Sequence, residues 1–266
     1  MTPDLESFAP FDPVPPWRLR GKGMHNNFVS EMVGTAMLIL FGDGVVAAVN
    51  LHRSKAENGG WIVITTGWAV AVMIGALAAT YSGGLINPAL TIGFAVAGDL
   101  DWADVPALLG GEFVGAFIGA VLVYLAYLPH WQPTEDAGLK LAVFSTGPAI
   151  RNLGANLLTE IIGTFALVFG VYAIDTHGGT PGPSLSVGLG PILVGFLVWG
   201  IGLSLGGPTG YAINPARDLS PRIAHALLPI PGKGTSDWQY SWVPVVGPII
   251  GGILGAVVGS AVFTNL

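Results

Sequence analysis

The sequence predicts an all-α membrane protein of six transmembrane helices and two re-entrant half-helices arranged as an inverted repeat. Three observations predict it. The 266 residues are 52% hydrophobic and only 10% charged, where an ordinary soluble domain is about a quarter charged. Windows without an ionisable group, such as 61–79 and 242–262, are long enough to cross about 30 Å of hydrocarbon at about 1.5 Å per residue. Two shorter apolar pieces, each opening on Asn-Pro-Ala, recur in matching places along the chain.

Residues 1–23, MTPDLESFAPFDPVPPWRLRGKG, are rich in proline and charge and hold no apolar core of signal-peptide length. They read as a mobile N-terminal tail preceding a single domain over 24–266. Spanning segments are expected near 28–50, 61–80, 104–128, 153–174, 187–206 and 241–264, with half-helices over 87–97 and 214–227. The pattern Glu-x-x-Gly-Thr opens at Glu31 and again at Glu160, 129 residues on, and the asparagines of the two triplets, Asn87 and Asn214, lie 127 apart. The domain is therefore a duplication, with one repeat over 24–128, a second over 153–266 and a connecting loop over 129–152. Three spans per repeat is an odd number, so the second copy enters the bilayer from the opposite face. Short hydrophobic segments in corresponding positions of such halves point to the transport site.

Proline suits the first position of a helix, where its missing N–H would have no partner, and asparagine before it is a good cap. Asn87-Pro88-Ala89 and Asn214-Pro215-Ala216 each start a half-helix on that reading. If the two enter from opposite faces, their N-termini meet near the midplane, each carrying about half a positive charge. Backbone that is not helical at that depth must line a route or be buried in protein, because lipid satisfies none of its polar groups.

Composition narrows the alternatives. There is no cysteine, which excludes disulfides and thiolate chemistry, and the spans hold no pattern of metal ligands or catalytic pairs, so neither a cofactor nor an enzymatic reaction is expected. Ten Lys and Arg scattered over the chain form no nucleic-acid patch. The chain has forty glycines, many of them inside apolar runs, which suits close helix packing in lipid. The tryptophans at 61, 131, 238 and 242 lie near predicted helix ends, as interfacial anchors do. Arg18, Arg20 and Lys22 favour a cytoplasmic N-terminus, and six spans return the C-terminus to the same side. Arg53, Lys55, Lys140, Arg151 and Lys233 then fall opposite, so charge bias alone does not settle orientation.

From about Phe28 onward, the two Asn-Pro-Ala triplets, the helix glutamates Glu31 and Glu160, and FSTGP at 144–148 identify the chain as a member of the aquaporin superfamily. Within it the chain resembles the glycerol facilitators, or aquaglyceroporins: Asp218 directly follows Asn-Pro-Ala-Arg, a basic residue stands four positions later at Arg222, and Pro244 precedes an aliphatic Val245. The resemblance implies a homotetramer in the plasma membrane, with a pore in each subunit for small uncharged solutes such as glycerol and water.

It also implies roles. The selectivity filter would comprise Arg217, Tyr211, the small Gly202 that widens it, and an aromatic twenty residues before Asn87. An ungapped count lands on Gly67, while a shift of one selects Trp68. Arg217 offers fixed donors to hydroxyl oxygens and its permanent charge repels cations. Asp218 is expected to hydrogen-bond the backbone near the half-helix start and partly compensate the burial of Arg217. Glu31 and Glu160 would accept N–H groups of the loops before the half-helices. Leu85 stands where the family usually has His, which makes the pore more apolar and, with Gly67, favours solutes larger than water: urea, dihydroxyacetone and protonated lactic acid are candidates. Asp43 is placed near the outer mouth, Glu112 in a buried polar contact or subunit interface, and His177 in a solvated loop. The competing readings are a water-selective channel and an inverted-repeat secondary transporter.

Overall fold

The computed structural model describes residues 23–178 and 186–263. The tail up to residue 22, the side chain of His177 and most of the glycine- and proline-rich connection after it lie outside the described residues. Ten helices and no strand occur among those described: α1 (Met24–Asn50), α2 (Trp61–Ala78), α3 (Pro88–Ala97), α4 (Val105–Ala126), α5 (Leu128–Trp131), α6 (Ala137–Phe144), α7 (Leu153–Gly178), α8 (Ser186–Leu205), α9 (Pro215–Leu227) and α10 (Val243–Phe263). Among the described residues, α1, α2, α4, α7 and α10 are long and apolar enough to cross a membrane, and α8 contributes the shorter apolar stretch Leu189–Leu205.

The glycines dictate how these helices meet. On α4 they recur every fourth residue against α1. A β-carbon at Gly111, Gly115 or Gly119 would stand 2.4, 2.3 or 2.6 Å from the carbonyl oxygens of Phe28, Met32 and Ala36. The same seam joins α10 to α7, where a β-carbon at Gly251 or Gly255 would lie 2.3 or 2.8 Å from the carbonyls of Ile161 and Phe165. Backbone-to-backbone contact of this kind is how small residues drive association in lipid, which supplies no hydrophobic force between helices.

The half-helices cross between the repeats. α3 packs on α10 and α9 on α4, so each short helix is braced by the last helix of the other repeat. A β-carbon at Gly252 would sit 2.4 Å from the Ala89 carbonyl, and one at Gly93 2.7 Å from that of Gly252. Elsewhere, Asp136 caps α6 through bonds from the N–H groups of Gly138 and Leu139. Lys233 Nζ donates to the carbonyls of His225, Ala226 and Leu228 at 2.8, 2.7 and 2.6 Å, closing the carbonyl end of α9 with a cation as its dipole favours.

Trp61, Trp238 and Trp242 are exposed, as an interfacial anchor must be, but Trp131 is only 1% exposed. It donates to the Tyr124 carbonyl and stacks on Phe144. Its expected anchoring role is therefore corrected: α5 turns it inward, and it belongs to the core.

Candidate functional site

The N-termini of α3 and α9 abut in the interior. Asn87 and Asn214 are their caps, both in extended backbone, and both helices carry proline in the first turn. The Oδ1 of Asn87 accepts from the Ala89 N–H at 2.9 Å, and that of Asn214 from Ala216 and Arg217 at 3.0 and 3.2 Å. The amide nitrogens then tie the repeats together. Asn87 Nδ2 donates to the Ile213 carbonyl at 2.9 Å, and Asn214 Nδ2 donates to the Ile86 carbonyl at 2.8 Å. Each nitrogen carries a second N–H, and both asparagines line one cavity of about 170 Å³.

The acceptor carbonyls are held in place by strain. Ile86 and Ile213 have φ of 44° and 43°, a left-handed conformation that β-branched residues avoid and that costs about 1–3 kcal/mol each. Two buried carboxylates hold that backbone. Glu31 on α1 accepts from the N–H groups of Leu85 and Ile86 at 3.2 and 2.6 Å and from the Ser82 hydroxyl. Glu160 on α7 accepts from Ala212 and Ile213 at 3.1 and 2.9 Å. With its N–H captured, each isoleucine turns its carbonyl toward the asparagine of the other repeat. Glu112 adds a third brace, accepting from the Asn87 N–H at 3.2 Å and the Thr91 hydroxyl at 2.6 Å. It is fully buried and supports the half-helix. Its place in the sequence signals a buried polar contact without naming the partner.

At another part of the cavity wall Arg217, Trp68 and Tyr211 come together. The Arg217 guanidinium carbon lies 4.1 Å from the centre of the Trp68 ring, within the range of a cation–π contact. Of the two residues counted for the fourth filter position, Trp68 lies here and Gly67 does not. A β-carbon on Gly67 would strike Val45 of α1 at 2.6 Å, so Gly67 is a helix contact and its reading as a filter residue is corrected. Gly42 of α1 makes the room for Trp68, since a β-carbon there would sit 2.2 Å from the ring.

Gly202 is placed differently from expectation as well. A β-carbon on it would lie 2.8 Å from the Tyr211 ring, and its carbonyl accepts from the Trp61 indole at 3.0 Å. The space left by the missing side chain is taken up by Tyr211, so Gly202 seats that ring and does not itself widen the cavity. Leu85 is 3% exposed and forms part of the lining, an apolar group immediately before Ile86.

Asp218 does not serve Arg217. It accepts from the backbone N–H and the hydroxyl of Thr146, both at 2.7 Å, and from Arg222 Nε at 2.9 Å. Arg222 in turn donates to the carbonyls of Thr146 and Ser236 at 2.9 and 2.8 Å. This fully buried pair staples the loops around 146 and 236 onto α9. The expected compensation of Arg217 by Asp218 is thereby corrected: the carboxylate nearest Arg217 is Asp43 of α1, 3.8 Å from Nη1 and 0% exposed. Asp43 is wholly buried on α1 beside Arg217 and is not itself one of the cavity-lining residues, and the sequence signals it only as an acid inside an apolar span.

Chemically, the arrangement offers fixed donors in a narrow apolar enclosure. Guanidinium N–H groups and asparagine amides can replace water around a hydroxylated solute. Trp68, Tyr211 and Leu85 give its carbon edge an apolar wall. The abutting half-helix termini make the centre electropositive, which disfavours cations. Among the described residues no cluster of His, Asp or Glu could hold a metal ion.

Comparison with known proteins agrees in kind. The family model described as Major intrinsic protein matches residues 18–258. A probable glycerol uptake facilitator protein of Thermotoga maritima is 60% identical over 221 residues, 83% of this chain and 92% of that protein. The glycerol uptake facilitator protein of Bacillus subtilis is 55% identical over 221 residues, covering 83% of this chain and 78% of its own length. The X-ray structure of the aquaglyceroporin from Plasmodium falciparum superposes with a TM-score of 0.78 at 27% identity, over 91% of this chain and 98% of that one.

Proposed function

The chain belongs to the major intrinsic protein family, and on that premise we propose that this integral membrane protein is a passive channel for glycerol and similarly small uncharged solutes, with water following. The observation that carries the reading is that Asn87, Asn214, Arg217, Trp68 and Tyr211 all line one and the same cavity. A polyol entering it gives up hydration and regains hydrogen bonds from the Arg217 guanidinium and then from the two asparagine amides. Its CH groups slide along Trp68, Tyr211 and Leu85. Because each asparagine oxygen is turned toward its own helix as a cap, Asn214 accepting two N–H groups and Asn87 one, it is the amide N–H groups that the pair offers to the lumen. A water molecule between them must turn its oxygen toward both, which breaks a proton-conducting chain.

No covalent step enters this reading. We assign one pore to each subunit of a homotetramer in the plasma membrane, with both termini cytoplasmic. Urea, dihydroxyacetone and protonated lactic acid join glycerol as candidate solutes, because the lining between the polar stations is apolar. A water-selective channel is disfavoured by the relatives named for glycerol uptake.

Stopped-flow light scattering on proteoliposomes tests the proposal. The expected result is rapid shrinkage and re-swelling in glycerol without an ion gradient, no re-swelling in sucrose, and altered solute selection in Arg217→Ala. Shrinkage without re-swelling would mean a pore for water alone. Saturable, counterflow-dependent uptake would mean a transporter.

A further inference from the structure

Asp43 is the buried acid that the channel mechanism leaves without a task. Glu31, Glu112 and Glu160 each accept backbone N–H groups, and Asp218 is taken by Thr146 and Arg222. Asp43 differs: both of its oxygens are buried without a hydrogen-bond partner among the described residues, and so is Nη1 of Arg217. These unmatched groups of opposite charge face each other at 3.8 Å. A buried carboxylate is retained only where something compensates it, and Arg217 is the cation beside it.

The surroundings give the pairing a direction. Gly42, one residue before Asp43, lets α1 lie against the Trp68 ring, and the Arg217 guanidinium carbon lies 4.1 Å from the centre of that ring. The arginine is thus drawn toward α1 by charge and held over Trp68 by a cation–π contact. An arginine side chain rooted in the first turn of α9 has length to spare, so whatever holds its head back determines how much of the lumen it leaves open.

We propose that Asp43 is a specificity-determining residue that holds the Arg217 guanidinium back against Trp68 and so sets the largest solute the constriction passes. The inference rests on the channel reading and adds to it a residue outside the Asn-Pro-Ala loops. With Asp43 in place, the pore selects by hydroxyl pattern at a relatively generous width. Without it, Arg217 relaxes into the lumen and obstructs polyols more than water.

Proteoliposome permeabilities for water, glycerol and erythritol test this. Wild type is read first, and its failure to pass glycerol would overturn the channel reading itself. Asp43→Asn, nearly the same in shape, is expected to lower glycerol permeability about tenfold, the order of one charge-assisted contact, with water permeability nearly unchanged. A merely structural defect would lower both together. In an Arg217→Val background the same substitution is expected to leave the glycerol-to-water ratio alone, since there is no guanidinium left to restrain. An unchanged ratio in Asp43→Asn, or an equal shift in both backgrounds, would overturn the proposal. Should Asp43→Asn not be recovered folded, Asp43→Glu decides: its longer carboxylate advances Arg217, so erythritol permeability falls relative to glycerol, and an unaltered erythritol-to-glycerol ratio counts against the inference.

Discussion

Asn87 and Ile213 are 126 residues apart in the chain, yet the side-chain amide of the first donates to the carbonyl of the second at 2.9 Å. The return bond runs from Asn214 to Ile86 at 2.8 Å. The two helix caps are thus also the clasp between the repeats. Asn214 caps two backbone N–H groups and Asn87 one, which makes the clasp unequal. Asn214→Ala is expected to destabilise the fold by about 2–3 kcal/mol and Asn87→Ala by less, from a lost cap plus a lost buried hydrogen bond. Thermal unfolding in detergent, followed by circular dichroism, ranks them. Equal midpoints would contradict the asymmetry.

Glu160 restrains Ile213 in a conformation it would otherwise leave. Replacing it with Ala frees two buried N–H groups, each costing about 1–3 kcal/mol when unsatisfied. The loop carbonyl then turns away from Asn87. Glu160→Gln keeps one acceptor oxygen and should retain more glycerol flux than Glu160→Ala. Stopped-flow rates normalised to reconstituted protein check the order, and identical rates would argue that the carboxylate does not position the loop.

Gly115 and Gly251 sit at equivalent points of the two helix seams, where an added β-carbon would stand only 2.3 Å from the carbonyl oxygen of Met32 or Ile161. No rotamer relieves that contact. Gly115→Val and Gly251→Val are expected to abolish recovery of folded protein, while Gly190→Ala on α8, where nothing stands within 4 Å, should leave it intact. Size-exclusion chromatography of detergent extracts distinguishes them.

Asp218→Asn leaves Arg222 buried with a weakened partner. Removing one member of a buried pair costs about 3–5 kcal/mol, chiefly because the other charge is stranded. The loss should be milder in Asp218→Asn combined with Arg222→Met. Unfolding midpoints of the single and double variants give the coupling, and strict additivity would deny the pair its role.

Leu85→His restores a polar group to an apolar stretch of the lining. Water, which gains most from an extra hydrogen-bond station, should speed up relative to glycerol. The ratio of shrinkage to re-swelling rates in proteoliposomes measures this, and a fall in the ratio would contradict it.

The half-helices were legible because their signal is local: asparagine, proline and a short apolar run predict 87–97 and 214–227, and the helices occupy Pro88–Ala97 and Pro215–Leu227. The duplication was legible for the same reason, since Glu-x-x-Gly-Thr repeats within one helix of each copy. What escaped depends on contacts distant in the chain. An ungapped count could not choose between Gly67 and Trp68, because a single residue's turn on α2 decides whether a side chain meets α1 or the cavity. Asp218 was paired with its neighbour Arg217, although its carboxylate reaches Thr146, 72 residues away. In the sequence Gly202 is a small residue that would widen the filter, and only the packed structure shows Tyr211 filling the space beside it.

The reciprocal clasp also bears on how the molecule is made. While the second repeat is still on the ribosome, the Ile86 carbonyl has no Asn214 and the Asn87 amide has no Ile213. Gly252, on which α3 rests, is not yet synthesised. The first re-entrant helix is therefore expected to stay unsettled in the translocon until late in synthesis, and a cysteine placed at position 95, buried and away from the cavity in the finished protein, should react with a water-soluble maleimide in chains of this cysteine-free protein truncated near residue 150 and be shielded in full-length ones. Neither half is a finished object by itself; the pore comes into being only when the last helix arrives.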